Sequence, residues 1–205
     1  MSFDFEDRLL PSHVHAFVLA GGRSRRMGRD KARLPLDGEP LACLLAARLR
    51  EHAGEVWLVA KRDSGLEELG VPMLYDTQEE TALVHGIHVA LGAPGPAWRF
   101  VVACDMPGVD GDVLHGLWEC ARRAGAPGSS ARLPGSPAVD PLPSLWHADV
   151  ARQVLPSWGL AARDWVQRAG LAIWNVPEAL QARFANVNTP QEWSRYERGA
   201  REAAS

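Results

Sequence analysis

The run VHAFVLA, Val14 to Ala20, opens directly into a loop that no ordinary turn resembles. Seven apolar-dominated residues are the length of a strand buried on both faces, too short for a core helix. Between Gly21 and Lys31 the chain then carries three glycines, four arginines and one lysine. A buried strand emptying into a bare, basic loop belongs in a parallel sheet, whose ligands gather beyond the carboxyl ends of its strands. This feature constrains the fold more than any other.

The rest of the chain repeats that rhythm. Strands are predicted at 56–60, 71–75 (VPMLY) and 98–104 (WRFVVAC), and helices at 41–52, 81–91 and 110–124, with a short helix at 63–69. RLPLDGEPL reads as an extended piece turning at Asp37-Gly38. LPSLWHADV reads as a strand leading into a helix. A helix at 161–169, strands at 171–176 and 183–187, and a last helix from Thr189 follow. Such alternation predicts an α/β fold of three layers, α/β/α, around a mostly parallel, Rossmann-like sheet. We expect one domain over 13–198, an extension at 1–12 and a tail at 199–205. The Gly, Pro and Ser content of 125–143 predicts the least regular part of the fold.

Composition excludes several function classes. A net charge of −3 makes the chain no nucleic-acid glove, so any phosphate affinity must be local. No apolar run approaches the ~20 residues of a membrane helix. The start, MSFDFEDRLLPSH, lacks the pattern of a signal peptide, and a cytoplasmic home is expected. Cys43, Cys104 and Cys120 have no metal-type spacing and read as reduced thiols. Of 22 basic residues only Lys31 and Lys61 are lysine. A chain so biased to arginine selects Lys31 for its compact ammonium.

The loop suits an anion of high charge. Its glycines free the backbone for close approach, and successive N–H groups make an anion-binding concavity. It is no Walker loop, because Ala32 follows Lys31 where Ser or Thr is needed, and Pro35 disfavours an immediate helix. GGRSRRMG does not spell GxGxxG either. A triphosphate cradle is one reading and a solvated basic loop the other. Asp76 after VPMLY and Asp105 after VVAC place carboxylates at strand ends, suited to Mg²⁺ or to turn capping. Asn186 and Asn188 alternate, so both face one side. His85 and His88 are spaced as a metal pair, but no third ligand is placed, and packed histidines are the plainer reading. Trp146 falls in a segment suited to a substrate pocket.

The string LAGGRSRRMGRDK resembles the signature of the molybdenum cofactor guanylyltransferases, the MobA-like NTP transferases. LDGEPL, LYDTQ, VVACDMP, LPSLW and FANVNTPQEW resemble further segments of that family in the same order, spanning residues 17 to 193. The resemblance implies transfer of GMP from GTP to molybdopterin-type molybdenum cofactor, with pyrophosphate leaving and Mg²⁺ as cofactor. It assigns Lys31, Arg25, Arg26 and Asp105 to catalysis, with Asp105 as metal ligand. It places Leu19, Ala20, Gly21, Gly22, Lys31, Asp76, Gly86 and Asp105 at the nucleotide, and Asn186 and Asn188 at the second substrate. Other cofactor-biosynthesis proteins or acceptor molybdoenzymes are implied as partners. The chain departs from the family at TALVHGI, where Ala82-Leu83 replaces a Gly-Pro before Gly86. That leaves open a cytidylyl- or sugar-nucleotide transferase on the same fold, or a non-catalytic nucleotide-binding adaptor.

Overall fold

The computed structural model describes residues 3, 5, 9–21, 30–36, 38–78, 82–150 and 161–203. Its strands are β1 (Val14–Leu19), β2 (Pro35–Leu36), β3 (Glu39–Pro40), β4 (Glu55–Ala60), β5 (Met73–Tyr75), β6 (Trp98–Ala103), β7 (Gly128–Arg132), β8 (Asp140–His147) and β9 (Ala172–Asn175). Its helices are α1 (Leu41–Arg50), α2 (Leu83–Gly92), α3 (Gly111–Ala124), α4 (Ala162–Arg168) and α5 (Pro190–Ala203).

Seven strands form one sheet in the order β5–β4–β1–β6–β8–β7–β9, and β2 pairs with β3 in a separate hairpin. β1 is parallel to β4 and to β6, β4 to β5, and β7 to β9; only β8 runs antiparallel to its neighbours. Val14, Ala16, Phe17 and Val18 are fully buried at the sheet centre, and Phe100, Val101 and Val102 of β6 lie beside them. Burying each large apolar side chain contributes roughly 1.5–3 kcal/mol, and a strand covered on both faces collects that on every residue. The β1–α1–β4 crossover runs toward one sheet edge and the β5–α2–β6 crossover back toward the other. Right-handed connections therefore put α1 and α2 on opposite faces, which gives the three layers.

The sequence reading needs correction in four places. The serine- and glycine-rich stretch after Gly125 is not a loop throughout, since it holds β7. Ser129 and Ser130 are fully buried there because their hydroxyls donate to the Leu117 and Asp140 carbonyls. Satisfied hydroxyls let polar residues occupy a buried strand. The strand expected at 183–187 is instead the end of a 3-10 turn, Glu178–Phe184, followed by extended chain. The single helix expected at 63–69 is two 3-10 turns, broken where Gly65 takes a φ of 67°. Trp146, expected to suit a substrate pocket, is instead fully buried and donates to Ser144 Oγ at 2.8 Å.

The turn after β6 is held from several sides. Val187 N–H donates to the Asp105 carbonyl at 2.8 Å, and Arg48 on α1 donates to the Pro107 carbonyl at 2.6 Å. At Gly108 a side chain would meet the Arg183 backbone at 2.8 Å, so only glycine lets the two segments cross. Arg183 itself pairs with Asp110 and, at 2.9 Å, with Asp112 at the start of α3.

Gly108→Ala is expected to destabilise the fold by about 1–3 kcal/mol through overpacking against main chain that cannot rotate away. Gly92→Ala, where a methyl meets nothing within 4 Å, is the control and should be neutral or stabilising. Urea midpoints at unchanged slope measure both.

Candidate functional site

The carboxyl ends of β1, β4, β5 and β6 lie side by side, and the cleft above them has a volume of about 290 Å³. Its lining includes Leu19, Ala20 and Gly21 from the end of β1, Asp30 and Lys31 from the basic loop, and Asp76 after β5. Gly86 of α2 and Asp105 after β6 line it as well. Gly22, Arg25 and Arg26 lie outside the described residues.

Lys31 is fixed by a local cap. Asp30 accepts the Ala32 N–H at 3.0 Å, which winds Lys31–Arg33 into one 3-10 turn and turns the lysine over the sheet edge. Its ammonium donates to Asp105 Oδ2 at 2.9 Å and to Asn188 Oδ1 at 2.6 Å. The Lys31 and Asp105 side chains are 15% and 22% exposed, so the pair is shielded yet open to a ligand. Two segments separated from Lys31 by 74 and 157 residues thus meet at one charge.

Asn188 owes its position to a capping box. Thr189 Oγ1 accepts the Glu192 N–H at 3.2 Å. The Glu192 carboxylate accepts the N–H groups of Asn188 and Thr189 at 2.7 and 2.9 Å. Those N–H groups, that of Asn188 first, hold the Glu192 carboxyl below the usual carboxylate range. Asn186 and Asn188 flank the buried Val187 and turn away from it; Asn186 is exposed.

On the other side of the cleft Asp76 is nearly buried, accepts the Gln78 N–H at 3.0 Å, and pairs with Lys61 at 2.7 Å. Sequence reading gave Lys61 and Asp30 no place in the site and noted Ala82-Leu83 only as a departure from the family. Being one of only two lysines was the available signal for Lys61, and an Asp directly before Lys31 was the signal for Asp30. Leu83 is 41% exposed at the cleft wall, an unusual place for a large apolar side chain.

The sheet uses some of the backbone that a ligand was expected to meet. The Leu19 carbonyl accepts from the Cys104 N–H at 3.0 Å, and the Ala20 N–H donates to the Val59 carbonyl at 2.8 Å. Gly86 has a packing role: a Cβ there would stand 3.1 Å from the Leu19 side chain, so glycine lets α2 press on the end of β1. Cys104 is buried beneath Asp105, and that burial pushes its thiol up to about 12, which makes it inert. No disulfide joins the three cysteines. Burial and the neighbouring His85 hold the His88 imidazole below its ordinary range, against the pull of Asp76.

Asp105 and Asn188 direct a carboxylate and an amide oxygen at one cation. That hard-oxygen donor set fits Mg²⁺, which takes one or two carboxylates and completes its shell with phosphates and water. Among the described residues no cluster of three or more His, Cys, Asp or Glu side chains forms a closed metal cage. No helix among them is long and apolar enough to cross a membrane.

The architecture is that of the nucleotidyltransferases. Molybdopterin-guanine dinucleotide biosynthesis protein A from Archaeoglobus fulgidus superposes with a TM-score of 0.75 at 22% identity, over 92% of this chain and 99% of that one. A 4-diphosphocytidyl-2C-methyl-D-erythritol synthase from Anaerococcus prevotii does so with a TM-score of 0.65 at 10% identity, over 92% and 98%. The chain belongs to the MobA-like NTP transferase domain family, which it matches over residues 16–171. A molybdenum cofactor guanylyltransferase from Yersinia pseudotuberculosis is 26% identical across 91% of this chain and 98% of its own length.

Lys31→Met is expected to change stability by less than about 1 kcal/mol, because the partly exposed carboxylate it leaves can be rehydrated. A nucleoside triphosphate with Mg²⁺ should protect the wild-type protein against heat, and the variant should lose that protection. Differential scanning with and without nucleotide reads both effects.

Proposed function

We propose that the protein transfers GMP from GTP to the terminal phosphate of a molybdopterin-type molybdenum cofactor and releases pyrophosphate. The observation that carries this reading is the meeting of Lys31, Asp105 and Asn188 at a strand-end cleft. The family membership supports nucleotidyl transfer, and the guanylyltransferase name of the relative at 26% identity supports the choice of substrates.

The chemistry asks for little beyond positioning and charge. An oxygen of the acceptor phosphate attacks the α-phosphorus of GTP. One P–O bond forms as the bond to the bridging oxygen breaks, and pyrophosphate departs with the electron pair. The attacking phosphate is already an anion at neutral pH, so no general base is required. Lys31, with Arg25 and Arg26 of the basic loop, screens the triphosphate and the charge growing on the leaving group. Asp105, with Asn188 beside it, would hold Mg²⁺, which would supply charge neutralisation of the phosphate oxygens. Gly21 and Gly22 bring bare backbone to the phosphates, and Leu19 and Ala20 wall the cleft under the nucleoside. Asp76 and the Gly86 helix bound it opposite. Asn186 and Asn188 face the second substrate.

Leu83 favours one second reading. An exposed apolar side chain on the base-side wall, in place of the family's turn, also suits a pyrimidine nucleotide, and cytidylyl transfer occurs on this fold. Stabilisation by GTP above CTP and UTP, each with Mg²⁺, is expected; stabilisation by CTP alone would replace GTP in the reaction.

Incubation with GTP, Mg²⁺ and molybdopterin-type cofactor should release pyrophosphate in proportion to cofactor. Asp105→Asn should lower that rate by about 10²–10³-fold, the scale for losing one electrostatic stabiliser. Chelation of Mg²⁺ should abolish the rate and its return restore it. An unchanged rate in Asp105→Asn would remove this residue from the chemistry.

A further inference from the structure

One lysine of the chain lines the cleft and is used in the reaction above; the other pairs with a carboxylate that lines it. Lys61 follows β4 directly, with a side chain 20% exposed. Its ammonium lies 2.7 Å from Asp76 Oδ2 and also donates to the Gln78 carbonyl. Asp76 Oδ1 accepts the Gln78 N–H at 3.0 Å, and the Asp76 N–H donates to the Ala60 carbonyl at 2.9 Å. These contacts join the ends of two neighbouring strands to the turn after the second. Asp76 lines the cleft, as do Ala82 and Leu83 a few residues on.

The residue type fits the task. An ammonium is a compact charge with three donors and can serve a carboxylate and a carbonyl at once, whereas a guanidinium presents a wide planar fork. With arginine at 20 of 22 basic positions, a lysine here is against the bias of the chain, as at Lys31. The Asp76 side chain is only 9% exposed, and a carboxylate with so little access to water is stabilised by a cation paired to it.

We propose that Lys61 is a positioning residue of the nucleotide pocket: it holds Asp76 and the turn through Gln78 in the geometry that sets nucleotide affinity and base discrimination. This rests on the nucleotidyltransferase reading but not on the choice of GTP.

The test measures dissociation constants for GTP, CTP and ATP with Mg²⁺ in the wild type, Lys61→Met, Asp76→Asn and the double variant, with melting temperatures taken without nucleotide. Lys61→Met should bind the preferred nucleotide about tenfold more weakly or worse, the fold-change carried by one charge-assisted hydrogen bond. The margin between preferred and other nucleotides should narrow. The double variant should be no weaker than the weaker single variant, because both losses pass through one pair. Lys61→Gln, which keeps hydrogen bonding without charge, should lie between wild type and Lys61→Met and serves if the latter does not fold. Wild-type affinity and discrimination in the lysine variants would overturn the proposal, whether or not they melt lower. Losses that multiply in the double variant would overturn it too. A wild type preferring CTP would sink guanylyl transfer and leave Lys61 to be judged on CTP. A wild type binding no nucleotide would sink both.

Discussion

The hydrogen bond from the Val187 N–H to the Asp105 carbonyl is the joint on which the site turns. It fastens chain that runs on from the 3-10 turn at Glu178–Phe184 to the end of a central strand. Asp105 and Asn188 thereby approach the same side of Lys31. Neither side chain would find the lysine by local structure alone. The joint is braced by Arg48 on the Pro107 carbonyl and by the glycine crossing at Gly108. The backbone around the Asp105 carboxylate, catalytic in the proposed reaction, is thus fixed by partners outside the cleft. Preorganised charge of this kind needs no rearrangement when the reaction begins.

The cleft has two sides with different chemistry. Toward Asp105 it holds charge around a single ammonium and is partly open, as polyphosphate and metal require. Toward Asp76 the wall is nearly buried and mixes a locked ion pair with the apolar Ala82 and Leu83. A nucleotide has the same division, charged at one end and flat and largely apolar at the other. Gly86 keeps the division tight by letting α2 lie against Leu19.

Much of this was legible in the chain. The buried run at Val14–Ala20 announced the central strand because a strand covered on both faces has no polar alternation to hide it. Lys31, Asp76 and Asp105 were legible because each follows a recognisable strand or loop. β7 was not, because its buried serines look like loop until the carbonyls that receive their hydroxyls are known. The supposed strand at 183–187 misled for the opposite reason: alternating asparagines imitate a strand face, while Asn188 meets a distant lysine and Val187 between them donates to the Asp105 carbonyl. Lys61 was seen only as a count, since its partner lies on the next strand of the sheet, a contact that no local pattern encodes.

The capping box at Thr189 and Glu192 bears on how the molecule is made. On a ribosome the basic loop leaves the tunnel long before Asn188 does, yet a domain folds as a unit. The Lys31 ammonium and the Asp105 carboxylate are held as they are in the fold only once residues 187–192 have also emerged, because Val187 ties down the Asp105 carbonyl. Only when the first turn of α5 closes does the amide oxygen take its place beside them. A chain that stops short of Asn188 therefore lacks one of the three groups that meet at Lys31, however much of its core is present.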